Sequence, residues 1–240
     1  LLNALVAYGQ TSSYWEELPA PPGGTPERIT QTANGWVYAE CYDNAMYYSQ
    51  DNGLHWQQMF WPSNDPDTGF AKITVGRAGT LFAERQVGPN QTFYLRYYDV
   101  YKSVDNGATW QQLLDSTNIH GLGETSTGQW FGLKDSVGSN FFKQVVVRSG
   151  NAGASWQTVK SLTSGLSSNY YGGVEVGGYD EVWVGRTYYS RDNGNTWLNK
   201  STIQSANHTL LTFSNTLLYS SSYQICRFTA DGTTVCSKID

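Results

Sequence analysis

Three cations occupy one recurring position of this 240-residue chain. Arg85, Lys134 and Arg186 each stand just past a short apolar run, Leu81-Phe82-Ala83, Trp130-Phe131-Gly132 and Val182-Trp183-Val184. Gathered on one rim, such side chains would hold a polar ligand by charge-assisted hydrogen bonds; otherwise they are solvated partners of nearby carboxylates. Glu40 and Glu84 precede that column in two copies. Trp61, Asp65 and Asp67 share the stretch Phe60-Trp-Pro-Ser-Asn-Asp-Pro-Asp-Thr-Gly69, where an indole beside two carboxylates suits stacking on a sugar and binding its hydroxyls. The plainer reading packs Trp61 against its own sheet. Glu124 and Glu175 are the candidate pair for glycosidic acid–base work, which needs two carboxyl groups about 5 to 10 Å apart; the competing reading is isolated carboxylates holding water. No metal or cofactor is expected, because His55, His120 and His208 have no ligand spacing and no phosphate-cradling loop or nucleophile elbow occurs.

What must position these residues is a repeat. Ser49-Gln-Asp51-Asn-Gly53-Leu-His-Trp56, Ser103-Val-Asp105-Asn-Gly107-Ala-Thr-Trp110, Ser149-Gly-Asn151-Ala-Gly153-Ala-Ser-Trp156 and Ser190-Arg-Asp192-Asn-Gly194-Asn-Thr-Trp197 fix the same types at the same offsets. A carboxylate two residues after Ser accepts N–H groups of its own turn, Gly supplies a positive φ, and Trp opens the next strand by burying a ring. Each copy therefore closes a hairpin. The copies lie about 40 to 55 residues apart, the length of one four-stranded blade. The second copy, for instance, reads as strands over 71–77, 80–87, 93–104 and 110–114. A turn residue precedes every second strand, at Gly35, Gly79, Gly128, Asp180 and Asn215. The second strands are apolar at successive positions, which marks strands covered on both faces. A degenerate fifth copy ends the chain, with Thr229-Ala-Asp-Gly-Thr-Thr-Val235 in place of the hairpin.

The hairpin resembles the Asp box, Ser-x-Asp-x-Gly-x-Thr-Trp, of the Asp-box or BNR-repeat β-propellers found in sialidase-like, sortilin-like and photosystem II assembly factor-like proteins. The resemblance implies an all-β propeller of four-stranded antiparallel blades: five, or six if Tyr14-Trp15-Glu-Glu-Leu18 is an outer strand of another blade. Residues 1–26 are then an N-terminal segment with a possible closing strand, and 27–240 the propeller. In that family the boxes are folding devices and ligands bind at the opposite mouth, where Arg85, Lys134 and Arg186 would meet. Sialidases carry an Arg-Ile-Pro start, from which Arg28-Ile29-Thr30 departs.

Composition narrows the partners. A net charge of −5 supplies no basic field, so nucleic acid is not expected. No apolar run approaches the roughly 20 residues of a membrane span. Leu1 to Tyr8 is apolar but short, with no basic start or cleavage signature, and so reads not as an intact signal peptide but equally as the stub of a helix. Cys226 and Cys236 flank Asp231-Gly232 symmetrically, so a hairpin turning there sets them opposite each other at disulfide distance, about 5.5 Å between Cα atoms. A bridge would favour an extracellular, cell-surface or periplasmic location; Cys41 reads as a buried thiol. The function these features favour is a non-enzymatic binding or adhesion module that recognises a glycan or protein, with a glycoside hydrolase or an assembly factor as alternatives.

Overall fold

A computed structural model describes residues 19–22, 26–32, 34–41, 45–59, 72–87, 97–137, 142–162, 173–177, 180–184, 188–199, 208–213, 216–221, 224–228 and 234–238, the segments from 208 onward through their backbone. Everything described is strand or turn. Four antiparallel blades stand in a propeller arrangement. The first holds β1 (Pro26–Gln31), β2 (Val37–Cys41), β3 (Met46–Ser49) and β4 (Gln57–Gln58). The second holds β5 (Lys72–Val75), β6 (Leu81–Val87), β7 (Tyr97–Ser103) and β8 (Gln111–Thr117). The third holds β9 (Ile119–Glu124), β10 (Trp130–Val137), β11 (Phe142–Ser149) and β12 (Gln157–Ser161). The fourth holds β13 (Val174–Val176), β14 (Val182–Val184), β15 (Tyr188–Ser190) and β16 (Leu198–Asn199).

The count of five separate blades needs correction. A last meander, β17 (His208–Phe213), β18 (Thr216–Ser221), β19 (Gln224–Phe228) and β20 (Thr234–Lys238), does repeat the strand order. Its inner strand β17, however, hydrogen-bonds in parallel to β1 with Thr30 opposite Thr212. The meander and the first blade are thus one eight-stranded sheet, and the described strands form four sheets. The cause is local: both inner strands run in the same direction and present unpaired edges, which a parallel ladder satisfies.

Burial explains the apolar triplets. Val37, Tyr38 and Ala39, then Leu81, Phe82 and Ala83, then Val182, Trp183 and Val184 are all buried, so these second strands are covered on both faces. The outer strands β4 and β16 are exposed throughout. The blades join through the hairpin glycines. A Cβ added to Gly107 would strike Met59, one on Gly153 would meet Leu113, and one on Gly194 would crowd Phe131 and Val159. Met59, Leu113 and Val159 are each the third residue after their own hairpin tryptophan, so these three hairpins rest on the same place in the preceding blade. That recurrence sets the hairpins around a common axis.

Candidate functional site

Each hairpin is closed from within. Ser103 Oγ donates to Asp105 Oδ1 at 2.7 Å while accepting the Gly107 N–H at 2.8 Å, and Asp105 accepts the Thr109 N–H at 2.9 Å and the Thr109 hydroxyl at 2.5 Å. Asp192 repeats the pattern with Thr196, and Asp51 with His55. Asn151 keeps the geometry without the charge, its Nδ2 donating to Ser155 Oγ at 2.9 Å. The Thr109 hydroxyl, then the Thr109 N–H and the Ser103 hydroxyl, hold Asp105 down at about 2. The His55 side chain, ahead of its N–H and the Ser49 hydroxyl, does the same for Asp51 at about 2. All of this chemistry is spent on the turn. Trp56 and Trp197 extend it, their indoles donating to Pro19 O and Gly194 O; Trp110 and Trp156 pack against the apolar clusters shared by their own blade and the one before it.

Two buried glutamates are consumed as well. Glu124 accepts the Thr80 N–H at 3.2 Å, the Thr80 hydroxyl at 2.9 Å and the Trp130 indole at 2.9 Å, bracing the second blade against the third. Glu84 reaches from β6 to accept the Gly121 and Leu122 N–H groups of β9. Those N–H groups are available because β9 bulges there: Phe131 pairs with Gly123 but Leu133 with His120, and Gly121 takes φ +62°. Glu175 is half-buried on β13 opposite Trp183. Glu124 lies opposite Trp130, whose counterpart in the fourth blade is Val182. The two carboxylates are therefore one residue out of register and leave opposite faces of their blades, so they do not form a symmetric pair.

The polar groups left over collect at the end of the second and third blades away from the hairpins. Arg85 Nη2 contacts Asp99 Oδ2 at 2.7 Å. A bulge in β8 turns the Ser116 N–H onto Asp99 Oδ1 at 3.0 Å, with Ser116 at φ +43°. Burial pushes Asp99 up, but the Arg85 and Ser116 hydrogen bonds together bring it below the ordinary carboxylate value. Across the blade boundary, His120 stacks on Tyr98 with ring centres 4.9 Å apart. Its Nε2 lies 3.1 Å from Asp135 Oδ1, which also accepts the Gln144 amide at 2.9 Å. Asp135 is fully buried, and its Oδ2 has no partner among the described residues. Asn118 fixes the backbone of Asp135 from both sides. Since a carboxylate oxygen accepts, the His120 Nε2–H is the donor in this contact.

Of the rim residues read from the sequence, Arg85 belongs to this cluster and Lys134 is half-buried beside it, in register with Ile119. Arg186, Trp61, Asp65 and Asp67 lie outside the described residues. His120, Asp135, Gln144 and Asp99 were missed, since no motif announces them; the one legible signal was the polar triplet Lys134-Asp135-Ser136 ending an otherwise apolar strand. No group of three or more metal-ligating side chains occurs among the described residues, and none of them forms a helix long and apolar enough to cross a membrane.

No family model and no curated protein matches the chain. Solved structures do. One reported in a mechanistic study of two prolyl endopeptidases aligns with 95% of this chain and 37% of its own, at 14% identity and a TM-score of 0.51. A streptogramin B lyase aligns over 93% of this chain and 85% of its own, at 13% identity and TM-score 0.49. YCF48 bound to a D1 peptide aligns over 94% and 69%, at 15% identity and TM-score 0.42. At 14% identity the likeness to the first of these is one of fold alone.

Proposed function

We propose that this chain is a non-enzymatic binding module of the Asp-box propeller type, exported, which takes a glycan at the mouth opposite the hairpins. One observation carries the reading: the fully buried Asp135, near the end of β10 away from the hairpins, has one oxygen on His120 and the other without a partner among the described residues. A buried acceptor without a donor is costly unless something supplies one. A ligand rich in hydroxyls supplies several, and Lys134 and Arg186 with Trp61, Asp65 and Asp67 would extend the rim around it. The hydrolase alternative loses support because Glu124 is occupied as a brace and is out of register with Glu175. Cys226 opposite Cys236 in the β19–β20 ladder supports a disulfide and hence an oxidising compartment.

A glycan array probed with the intact chain tests the reading, followed by titration of the strongest glycan. Asp135→Asn should weaken that binding by about tenfold or more, the range expected when a hydrogen bond to a charged group is lost. Trp61→Ala should weaken it by about 1 to 3 kcal/mol if the ring stacks on sugar. An array without a single bound glycan sinks the proposal, and turnover of an aryl glycoside by the intact chain would replace it with the hydrolase.

A further inference from the structure

Four Asn-Gly steps occur in this chain, at Asn34, Asn52, Asn106 and Asn193, and three of them sit inside the repeated hairpins. Asn-Gly is the dipeptide most prone to spontaneous deamidation, because a glycine nitrogen meets no side chain in its way. The nitrogen of Gly attacks the Asn Cγ and forms a five-membered succinimide. The Cγ–NH2 bond breaks, ammonia leaves with the glycine amide proton, and water then opens the ring to aspartate or isoaspartate. No oxidant or other reagent is needed. The hairpins thus place the chain's most labile dipeptide at three of its most repeated positions.

We infer that the hairpin serine is a chemical guard as well as a turn-former, and that Asn34 is the deamidation site of the folded protein. Two features of the hairpins block ring closure. Asn52, Asn106 and Asn193 sit at φ of 60°, 58° and 60°, in the left-handed well where ψ is about +45°. There the next nitrogen stands on the far side of the Cα–C bond from Cβ, whereas closing the succinimide requires it to swing over Cβ. The nucleophile is also capped: the Gly53, Gly107 and Gly194 N–H groups each donate to the hydroxyl of Ser49, Ser103 or Ser190, at 2.8 Å in all three. Turning the nitrogen towards Cγ would break that bond and pull the glycine off the preceding blade, against which Gly107 and Gly194 are packed.

Asn34 lacks these protections. It lies in the turn between β1 and β2, exposed and outside the left-handed well. Gly35 has open space where a Cβ would be, and its N–H makes one turn bond, to Thr32 O at 3.0 Å. The Thr32 hydroxyl donates to the Asn34 side-chain carbonyl, which draws electron density from Cγ and favours attack. Asn106 receives a similar bond from Tyr38 at 2.8 Å, yet its nucleophile is turned away and capped. Asn106 therefore separates the two influences: an activated amide that the serine keeps from reacting.

The test ages the intact folded chain in mildly alkaline buffer and digests it with trypsin and a glutamate-specific protease in heavy-oxygen water. Cleavage after Arg28, Glu40, Lys102, Glu124 and Arg191 puts Asn34, Asn52, Asn106 and Asn193 on separate peptides. Asn34 should convert first, with the other three lagging behind it, and in denaturant the four rates should converge. Ser103→Ala should speed Asn106 by about fivefold, the factor that corresponds to the roughly 1 kcal/mol of one hydrogen bond, and leave Asn193 slow. Asn193 in that variant reports whether the fold survived. Hairpin sites that deamidate in the folded chain as fast as Asn34 would overturn the inference, as would a folded Ser103→Ala protein with Asn106 unchanged.

Discussion

At the scale of single residues, the same element type does opposite work at the two ends of a blade. Asp51, Asp105 and Asp192 reach solvent, yet both oxygens of each are bonded within their own hairpins. Asp135 is fully buried, yet one of its oxygens has no donor among the described residues. The hairpin carboxylates set an acid limit on stability. Since hydrogen bonds hold Asp51 and Asp105 at about 2, below the unfolded value of about 3.9, their stabilisation is complete above that value. It is lost as pH falls from about 4 towards 2, because protonation then favours the unfolded chain. Thermal melts across that window should show a steep fall in Tm. Asp105→Asn should melt normally at neutral pH, since Asn151 already closes the third hairpin as an amide, and should flatten part of the acid limb. An acid limb identical to that of the parent chain would mean that Asp105 does not set it.

Among elements, blades are held to one another by a few directed contacts rather than by broad apolar faces alone. Glu124→Ala strands three buried donors, two on Thr80 and one on Trp130, each costing about 1 to 3 kcal/mol when left without an acceptor. Denaturant melts should show a loss of at least about 3 kcal/mol, and Glu124→Gln, which keeps one oxygen, a smaller one. Equal losses would mean that the carboxylate is not a brace. Glycine substitutions separate packing from backbone strain. Gly79→Ala has φ +99° and open space around its Cβ, so it should cost only the left-handed penalty of about 1 to 2 kcal/mol. Gly194→Ala, at φ +81°, adds a clash with Phe131 at 2.8 Å and should cost a further 1 to 3 kcal/mol or so. The hairpins and the covered second strands were legible in the sequence because both are local patterns: Ser, Asp, Gly and Trp at fixed offsets, and apolar residues at consecutive positions. The braces were not. Glu84 acts on N–H groups that a bulge at Gly121 leaves unpaired, and a bulge shifts register by one residue without any mark in composition. Glu124 and Glu175 look equivalent only until they are counted from their turns, four residues before Gly128 and five before Asp180; His120 stayed hidden because its partner Asp135 meets it only across the β9–β10 ladder.

For the molecule as a whole, the decisive join is the one where β17 meets β1. The hairpin glycines that rest on preceding blades, and the Glu84 and Glu124 braces, make joins of side chains; this one is a backbone ladder, so its strength depends on how well the last meander keeps its shape. Cys226 and Cys236 stand opposite each other in the β19–β20 hairpin of that meander. A disulfide there would close a loop of roughly ten residues and stabilise the meander by about 3 kcal/mol through the entropy it removes from the unfolded chain. Its loss would loosen the partner of β1 and expose a strand edge open to wrong pairing. Adding reductant should therefore lower Tm and release backbone hydrogen-exchange protection first in β17 to β20 and β1, while β5 to β16 stay protected. Thiol titration provides the check on the premise: the denatured, unreduced chain should show one reactive thiol, that of Cys41, which is buried outside any disulfide in the fold, and full reduction should show all three cysteines. Three thiols before reduction, with a Tm indifferent to reductant, would leave the seam resting on its ladder alone.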